Sequence, residues 1–237
     1  MRLAVSSTAF DRALASGDLT QLELIDACAR MLSLDGIVLD LAHFPRRDGE
    51  YVAQIKKLAA DRMLTVVAVR DDALAERGSD ALAIAAGLGA PYVLTRMPEA
   101  GVDPVRRYNA ALAVLGPATA EAKRLNVTLA VRNVPGSLAA DALELARLRK
   151  EADSAWLCFA LDPSALAGPP TDAVLKHTVL GYHRVGQLAA GLTVLSGFRG
   201  FLCLDTVGGD ASEESMRRLL NAWQAQQAGV AEPHVPS

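Results

Sequence analysis

Four short apolar runs in the second half of the chain end in side chains that can do chemistry. Arg132 closes NVTLAVR, Asp162 closes WLCFALD, His183 closes VLGYH and Asp205 closes GFLCLD. A carboxylate in such a place holds a proton or accepts hydrogen bonds from the turn behind it. An imidazole titrates near neutral pH, and a guanidinium pairs with carboxylates in a fixed fork geometry. The alternation Thr128, Ala130, Arg132 against Val127, Leu129, Val131 has period two, so Arg132 shares a face with small residues rather than with the valines. Asn133 follows at once, and Arg184 follows His183. Earlier in the chain Asp40 lies near the end of GIVLDL, with His43 in the loop behind it. Polar strand ends that recur in this way imply one shared site if a fold brings them together. Each also has a plainer use: Asp162 before Pro163 and Ser164, and Asp205 before TVGGD, suit turn capping. Arg132 suits an ion pair, and His183 and His43 suit packed histidines.

Composition narrows the setting. With 237 residues, 51% of them hydrophobic, the chain can bury a core as one large α/β domain. The formal net charge is -3 and no Lys/Arg block occurs, so nucleic acid is not an expected partner. Cys28, Cys158 and Cys203 are widely spaced in apolar runs, which suits neither a disulfide framework nor a metal knuckle. The opening MRLAVSSTAF is too short an apolar run for a secretion signal, and no run reaches the length of a membrane span. A soluble cytoplasmic protein without a membrane partner is expected; a homo-oligomer stays open.

The elements that must position these residues alternate. Strands are expected at 3–7, 36–41, 64–69, 92–97, 127–132, 156–162, 179–184 and 200–205, from their short β-branched and apolar runs. Between them, Thr20 and Glu23 form a capping box ahead of a helix with Leu22, Ile25, Ala29 and Leu32 on one face. Asp48 and Ser79 suit caps, and Asp103-Pro104 suits a cap followed by Pro at the first helical position. Gly116-Pro117 predicts a kink or a break into two helices. Further helices are expected over AADALELARLRK, from about 171 to 177, from 188 to 195 and from 212 to 226. Eight such units, without a Gly-rich GxGxxG turn after the first strand, predict a single (β/α)8 TIM barrel over residues 1–227, with a flexible tail over 228–237. In that fold every carboxyl-terminal strand end faces one mouth.

The stretches SSTAFDRALASGDLT, GIVLDLAHFP, NVTLAVRN, LDPSAL and GFRGFLCLD together resemble the xylose isomerase-like TIM barrels of the sugar phosphate isomerase/epimerase type. The resemblance spans nearly the whole chain, with no single diagnostic motif. It implies a small carbohydrate or polyol as substrate and proton transfer next to a carbonyl. It also implies a divalent ion (manganese, magnesium, cobalt or zinc) held by strand-end carboxylates and a His. On that implication Asp162, His183 and Asp205 would be the metal set and, with Arg132, the catalytic residues. Asp40, His43, Asn133 and Arg184 would contact substrate.

This chain departs from the family's pattern where the metal matters. The strand-five Glu is replaced by Arg132 and the His two residues later by Val134. At strand seven either His183 or Tyr182 takes the ligand's place, since the expected Lys is Val185 or Arg184. A permanent guanidinium beside a divalent ion would oppose its binding by several kcal/mol at an effective dielectric of about 20. The alternative to an isomerase is a barrel that binds a small metabolite without a metal, Arg132 standing in the ion's place and pairing with Asp162 and Asp205. Asp210, Glu213 and Glu214 at the last helix start argue against a phosphate at Gly208-Gly209, and no serine sits in a nucleophile elbow.

Overall fold

A computed structural model describes residues 2–31, 34–77, 79–166, 170–184, 198–206, 209–212, 214–218 and 220–221. Eight strands form a closed all-parallel barrel in sequence order: β1 Arg2–Ser6, β2 Gly36–Asp40, β3 Thr65–Arg70, β4 Tyr92–Arg96, β5 Thr128–Arg132, β6 Leu157–Leu161, β7 Thr178–Arg184 and β8 Phe201–Asp205. β1 pairs with β8, from Arg2 opposite Phe201 to Val5 opposite Leu204, which closes the ring. The expected (β/α)8 barrel is therefore the observed one, with strand bounds within about two residues of those read from the sequence.

Among the described residues these helices connect the strands: α1 Asp11–Ser16, α2 Gln21–Ala29, α3 Gly49–Asp61, α4 Leu74–Arg77, α5 Ala81–Leu88, α6 Pro104–Leu125, α7 Ala142–Ala152 and α8 Asp172–Lys176. Most start where the sequence says they should. Thr20 and Glu23 make both halves of the capping box, Asp48 accepts from the Tyr51 N–H, and Asp103 accepts from the Arg106 N–H with Pro104 in the first turn. Ser79 accepts from the Ala81 N–H at 2.9 Å.

Two local details differ from expectation. α6 runs as one helix through Pro117 and does not break into two, with the Thr119 hydroxyl donating to the Gly116 carbonyl at 2.8 Å. The buried face of α2 is Gln21, Leu24, Ile25, Ala27 and Cys28 rather than the stripe through Leu22 and Ala29. A rotation of about one position carries a polar Gln21 into the interior. The helices expected at 188–195, most of 212–226 beyond its first turns, and the tail at 228–237 lie outside the described residues.

The core has two layers. One packs strands against helices, with Leu24, Ile25, Ile55, Leu115, Leu129, Leu148 and Phe159 among its members. The other fills the barrel: Ala4, Val38, Ala68, Leu94, Ala130, Ala160, Leu180, Tyr182 and Cys203. Gly36 sits at the foot of β2, where a Cβ would lie 2.4 Å from Val67 Cγ2 and 2.9 Å from the Thr65 carbonyl oxygen. The neighbouring strand approaches too closely there for any side chain. No helix among the described residues is long and apolar enough to cross a membrane.

Candidate functional site

The inward face of each strand is set by period two, so the residue two beyond a filling residue caps the barrel at its carboxyl-terminal mouth. Ala4, Val38, Ala68, Leu94, Ala130 and Cys203 lie inside. Two residues on come Ser6, Asp40, Arg70, Arg96, Arg132 and Asp205. Small alanines beneath Arg70 and Arg132 leave room for the long stems. Above this layer lies a cavity of about 620 Å³ lined by Asp11, Asp40, His43, Arg70, Asp72, Arg96, Arg132 and Asp205 with Thr8, Thr206 and neighbouring backbone.

Arg132 does not pair with Asp162 and Asp205 as the sequence suggested. Its Nη2 donates to both carboxylate oxygens of Asp72, at 3.1 and 2.9 Å, and its guanidinium carbon lies 5.0 Å from the centre of the Tyr182 ring. Asp72 comes from the loop after β3, where the chain continues Arg70, Asp71, Asp72. Arg70 Nη2 donates to the same carboxylate at 2.6 Å, while its Nε lies 3.4 Å from Asp40 and its Nη1 3.8 Å from Asp205. Burial pushes the Asp72 carboxyl up, but Arg132, Arg70 and Arg96 more than offset it and hold its pKa below the usual value. Asp40 goes the other way: burial raises its pKa, and Arg70 offsets this only in part.

Asp205 is fixed from the first strand's loop. Thr8 Oγ1 lies 3.1 Å from each Asp205 oxygen, accepts from Arg70 Nη1 at 3.0 Å and sits 2.6 Å from Ser6 Oγ. Since a hydroxyl has one proton and Thr8 spends its own on Asp205, Ser6 must donate to Thr8. The buried Tyr182 hydroxyl in turn donates to Ser6 at 3.3 Å. A directed chain thus runs from the barrel interior to the Asp205 carboxylate.

His43 is fixed by the same count. His43 Nε2 lies 2.8 Å from the Asp11 carboxylate, which can only accept, so Nε2 carries the proton of the neutral ring. Nδ1 then accepts from the Ser7 hydroxyl at 2.9 Å, while the Asp40 N–H donates to the same Ser7 Oγ at 2.8 Å. Ser7 is fully buried, so it positions the ring and does not face a ligand.

Of the expected site residues, Asp40, His43, Arg132 and Asp205 line the cavity together. Asp162 and Asn133 do not. Asp162 Oδ1 accepts from the Ser164 N–H and hydroxyl at 3.0 and 2.5 Å, the capping role. Asn133, buried, clamps the Asp162 backbone: its Nδ2 donates to the carbonyl at 2.8 Å and its Oδ1 accepts from the N–H at 2.7 Å. The backbones of His183 and Arg184 end β7 opposite Leu204 and Asp205, but their side chains lie outside the described residues. Arg70, Arg96, Asp72, Asp11 and Thr8 were missed. The first two carry the signal that marked Arg132, a charge closing an apolar strand, at TVVAVR and YVLTR.

Among the described residues, the donors of the mouth do not suit a tightly held divalent ion. Asp40, Asp72 and Asp205 each already face a guanidinium, and no three His, Cys, Asp or Glu groups among the described residues converge as metal ligands.

No protein-family model matches the chain, and no curated protein matches it in sequence. Solved structures do match. D-psicose 3-epimerase with D-tagatose from Clostridium cellulolyticum H10 aligns over 98% of this chain and 100% of its own, with a TM-score of 0.78 and 12% identity. A xylose isomerase domain containing protein from Salmonella typhimurium LT2 aligns over 96% and 97%, with a TM-score of 0.74 and 13% identity. The chain has the xylose isomerase-like TIM-barrel fold. The IOLI protein, solved with a zinc atom, also shares it, at a TM-score of 0.70 and 13% identity over 97% of this chain and 98% of its own. At such identities the likeness is one of fold, and the guanidinium-rich mouth is a property of this chain's own residues.

Proposed function

We propose that this xylose isomerase-like barrel binds a small polyhydroxylated anion, a sugar acid or sugar phosphate, in its mouth, with guanidinium groups where the resemblance would place a metal. The observation that carries this is the division of charge across the cavity. On the β3–β5 side Arg70, Arg96 and Arg132 converge on the single carboxylate of Asp72. On the β1, β2 and β8 side stand Asp11, Asp40 and Asp205. Among the described residues of the cavity Arg96 is the most available cation: it lies 3.9 Å from Asp72 and 3.8 Å from Glu99, too far for good hydrogen bonds. A carboxylate or phosphate fits Arg96 and Arg132, while hydroxyls donate to Asp40 and Asp205.

A second reading keeps the chemistry that the resemblance implies, proton transfer next to a sugar carbonyl. Asp40 favours it, because a cavity-lining carboxylate with a raised pKa is a better proton acceptor. Arg70, beside it, would then stabilise the enediolate oxygen by charge.

Calorimetric titration with gluconate, 6-phosphogluconate and uncharged glucitol tests the first reading. The two anions bind, glucitol binds at least about tenfold more weakly, and Arg96→Ala removes about tenfold of the anion affinity, or about 1.4 kcal/mol. Equal binding of all three, or an indifferent Arg96→Ala, rejects it. Deuterium uptake from heavy water into D-fructose or its acid analogues, lost in Asp40→Asn, tests the second.

A further inference from the structure

A second cavity, of about 680 Å³, opens beside the mouth between α1, the start of α2, the loop behind β2 and α3. Its wall is mostly apolar, with Leu14, Leu19, Leu22, Phe44, Pro45 and Tyr51, the Phe44 and Tyr51 rings meeting edge to face at 6.5 Å. It shares Asp11, Ala42 and His43 with the mouth, so the hydrogen-bonded Asp11–His43 pair is a common partition. Gln21 also stands on its wall. That residue is only 3% exposed, and neither Nε2 nor Oε1 has a hydrogen-bond partner. A buried carboxamide with both ends unpaired costs stability, whereas leucine at the same place would not. Such a group is explained by a ligand that pairs with it.

We propose that this cavity binds an apolar group bearing an adjacent donor and acceptor, such as a carboxamide on a ring, read by Gln21. Resting on the mouth reading above, it takes the apolar end of the same ligand whose anionic polyhydroxylated end lies against Arg96 and Arg132. The ligand is then an amphipathic conjugate and not a free sugar. Leu14, Leu19, Phe44 and Tyr51 surround the apolar group, and the carboxamide of Gln21 turns to meet the polar pair once the cavity fills.

The test uses the full chain and three probes: benzamide for the second cavity, gluconate for the mouth, and 4-carbamoylphenyl glucuronide for both at once. Binding is followed by the side-chain amide signal of Gln21 in nitrogen–proton NMR, assigned by its loss in Gln21→Leu. Benzamide is expected to shift that signal, to bind Gln21→Leu at least tenfold more weakly, and not to bind Leu14→Trp, in which an indole fills the space. Gluconate affinity stays within twofold in both variants, which also shows that they fold. The joined probe binds at least tenfold tighter than either fragment, because its second contact is intramolecular. No shift with benzamide, undiminished binding to Leu14→Trp, or a Gln21 amide held by one buried water in a crystal structure overturns the cavity. Benzamide binding without gluconate binding instead rejects the mouth reading and, with it, the single-ligand assignment. A joined probe no tighter than its fragments rejects that assignment alone.

Discussion

Arg132 Nη2 lies 2.9 Å from Asp72 Oδ2, joining the end of β5 to the loop that follows β3. The same oxygen receives Arg70 Nη2 at 2.6 Å. One carboxylate therefore bridges the buried Arg132 and the partly buried Arg70, and its removal leaves the two like charges facing each other without a partner between them.

Asp72→Ala should cost about 2–4 kcal/mol, the loss that follows breaking a partly buried charge pair by deleting one partner. The pH dependence has a definite sign. The folded pKa of Asp72 lies below its unfolded value, so its stabilisation is complete above about pH 4 and is lost as pH falls through the folded value. Urea midpoints of wild type and Asp72→Asn measured from pH 7 to pH 3 should converge at the acid end. Curves that stay parallel would show that the ionised carboxylate contributes nothing.

Asp40 should behave in the opposite way. Its folded pKa is raised by burial, so the ionised form is disfavoured in the fold and costs stability above about pH 4. Asp40→Asn keeps the acceptor for the Ala42 N–H and should raise the thermal midpoint at pH 7. The gain should shrink as pH falls through the raised folded value and be gone below about pH 4. A lowered midpoint at pH 7 would mean that the Arg70 pairing outweighs desolvation.

Purified wild-type protein dialysed against low micromolar manganese and zinc should retain well under one ion per chain by elemental mass spectrometry. The ground is electrostatic: a divalent ion in the mouth would face three guanidiniums. Stoichiometric metal in the wild type would show that His183 and the carboxylates form a site despite Arg132. Metal held only by Arg132→Glu would show that the guanidinium occupies the place.

Asn133→Ala should destabilise by about 2–6 kcal/mol, since it strands a buried N–H and a buried carbonyl of Asp162 at about 1–3 kcal/mol each. Asn133→Asp should be no milder, because its carboxylate cannot donate to the carbonyl. Urea denaturation with an unchanged slope reads the cost directly, and a loss below about 0.5 kcal/mol would show that β5 and β6 are aligned without the clamp.

The His43 ring should carry its proton on Nε2, observable by long-range nitrogen–proton NMR. Asp11→Ala removes the acceptor of that proton and should release the preference, whereas Ser7→Ala keeps it and leaves the Asp40 N–H unpaired at a cost of about 1–3 kcal/mol. A proton found on Nδ1 alone in the wild type would mean that Nδ1 donates to Ser7 and that Asp11 does not set the tautomer.

The fold was legible because each strand run and each cap is a local signal, and local signals survive in one sequence. The capping box at Thr20 and Glu23 and the cap at Asp103 show this. The pairing of Arg132 was not legible, because its partner sits sixty residues earlier in a loop without periodicity. Asp162 was ambiguous for a related reason: a carboxylate before Pro and Ser reads equally well as a cap and as a site residue, and its Oδ1 does cap Ser164. Arg70 and Arg96 close apolar strands as Arg132 does, but nothing local shows that three such ends share the carboxylate of Asp72.

The two sides of the mouth also differ in when synthesis can complete them. Arg70, Asp72, Arg96 and Arg132 all belong to β3–β5 and the loops between, whereas the Thr8–Asp205 hydrogen bonds span 197 positions and need the last strand. At about 5–20 residues per second, Asp205 leaves the ribosome several seconds after Arg132. The cationic half of the site can assemble on the nascent chain while the acidic half still waits for its final member.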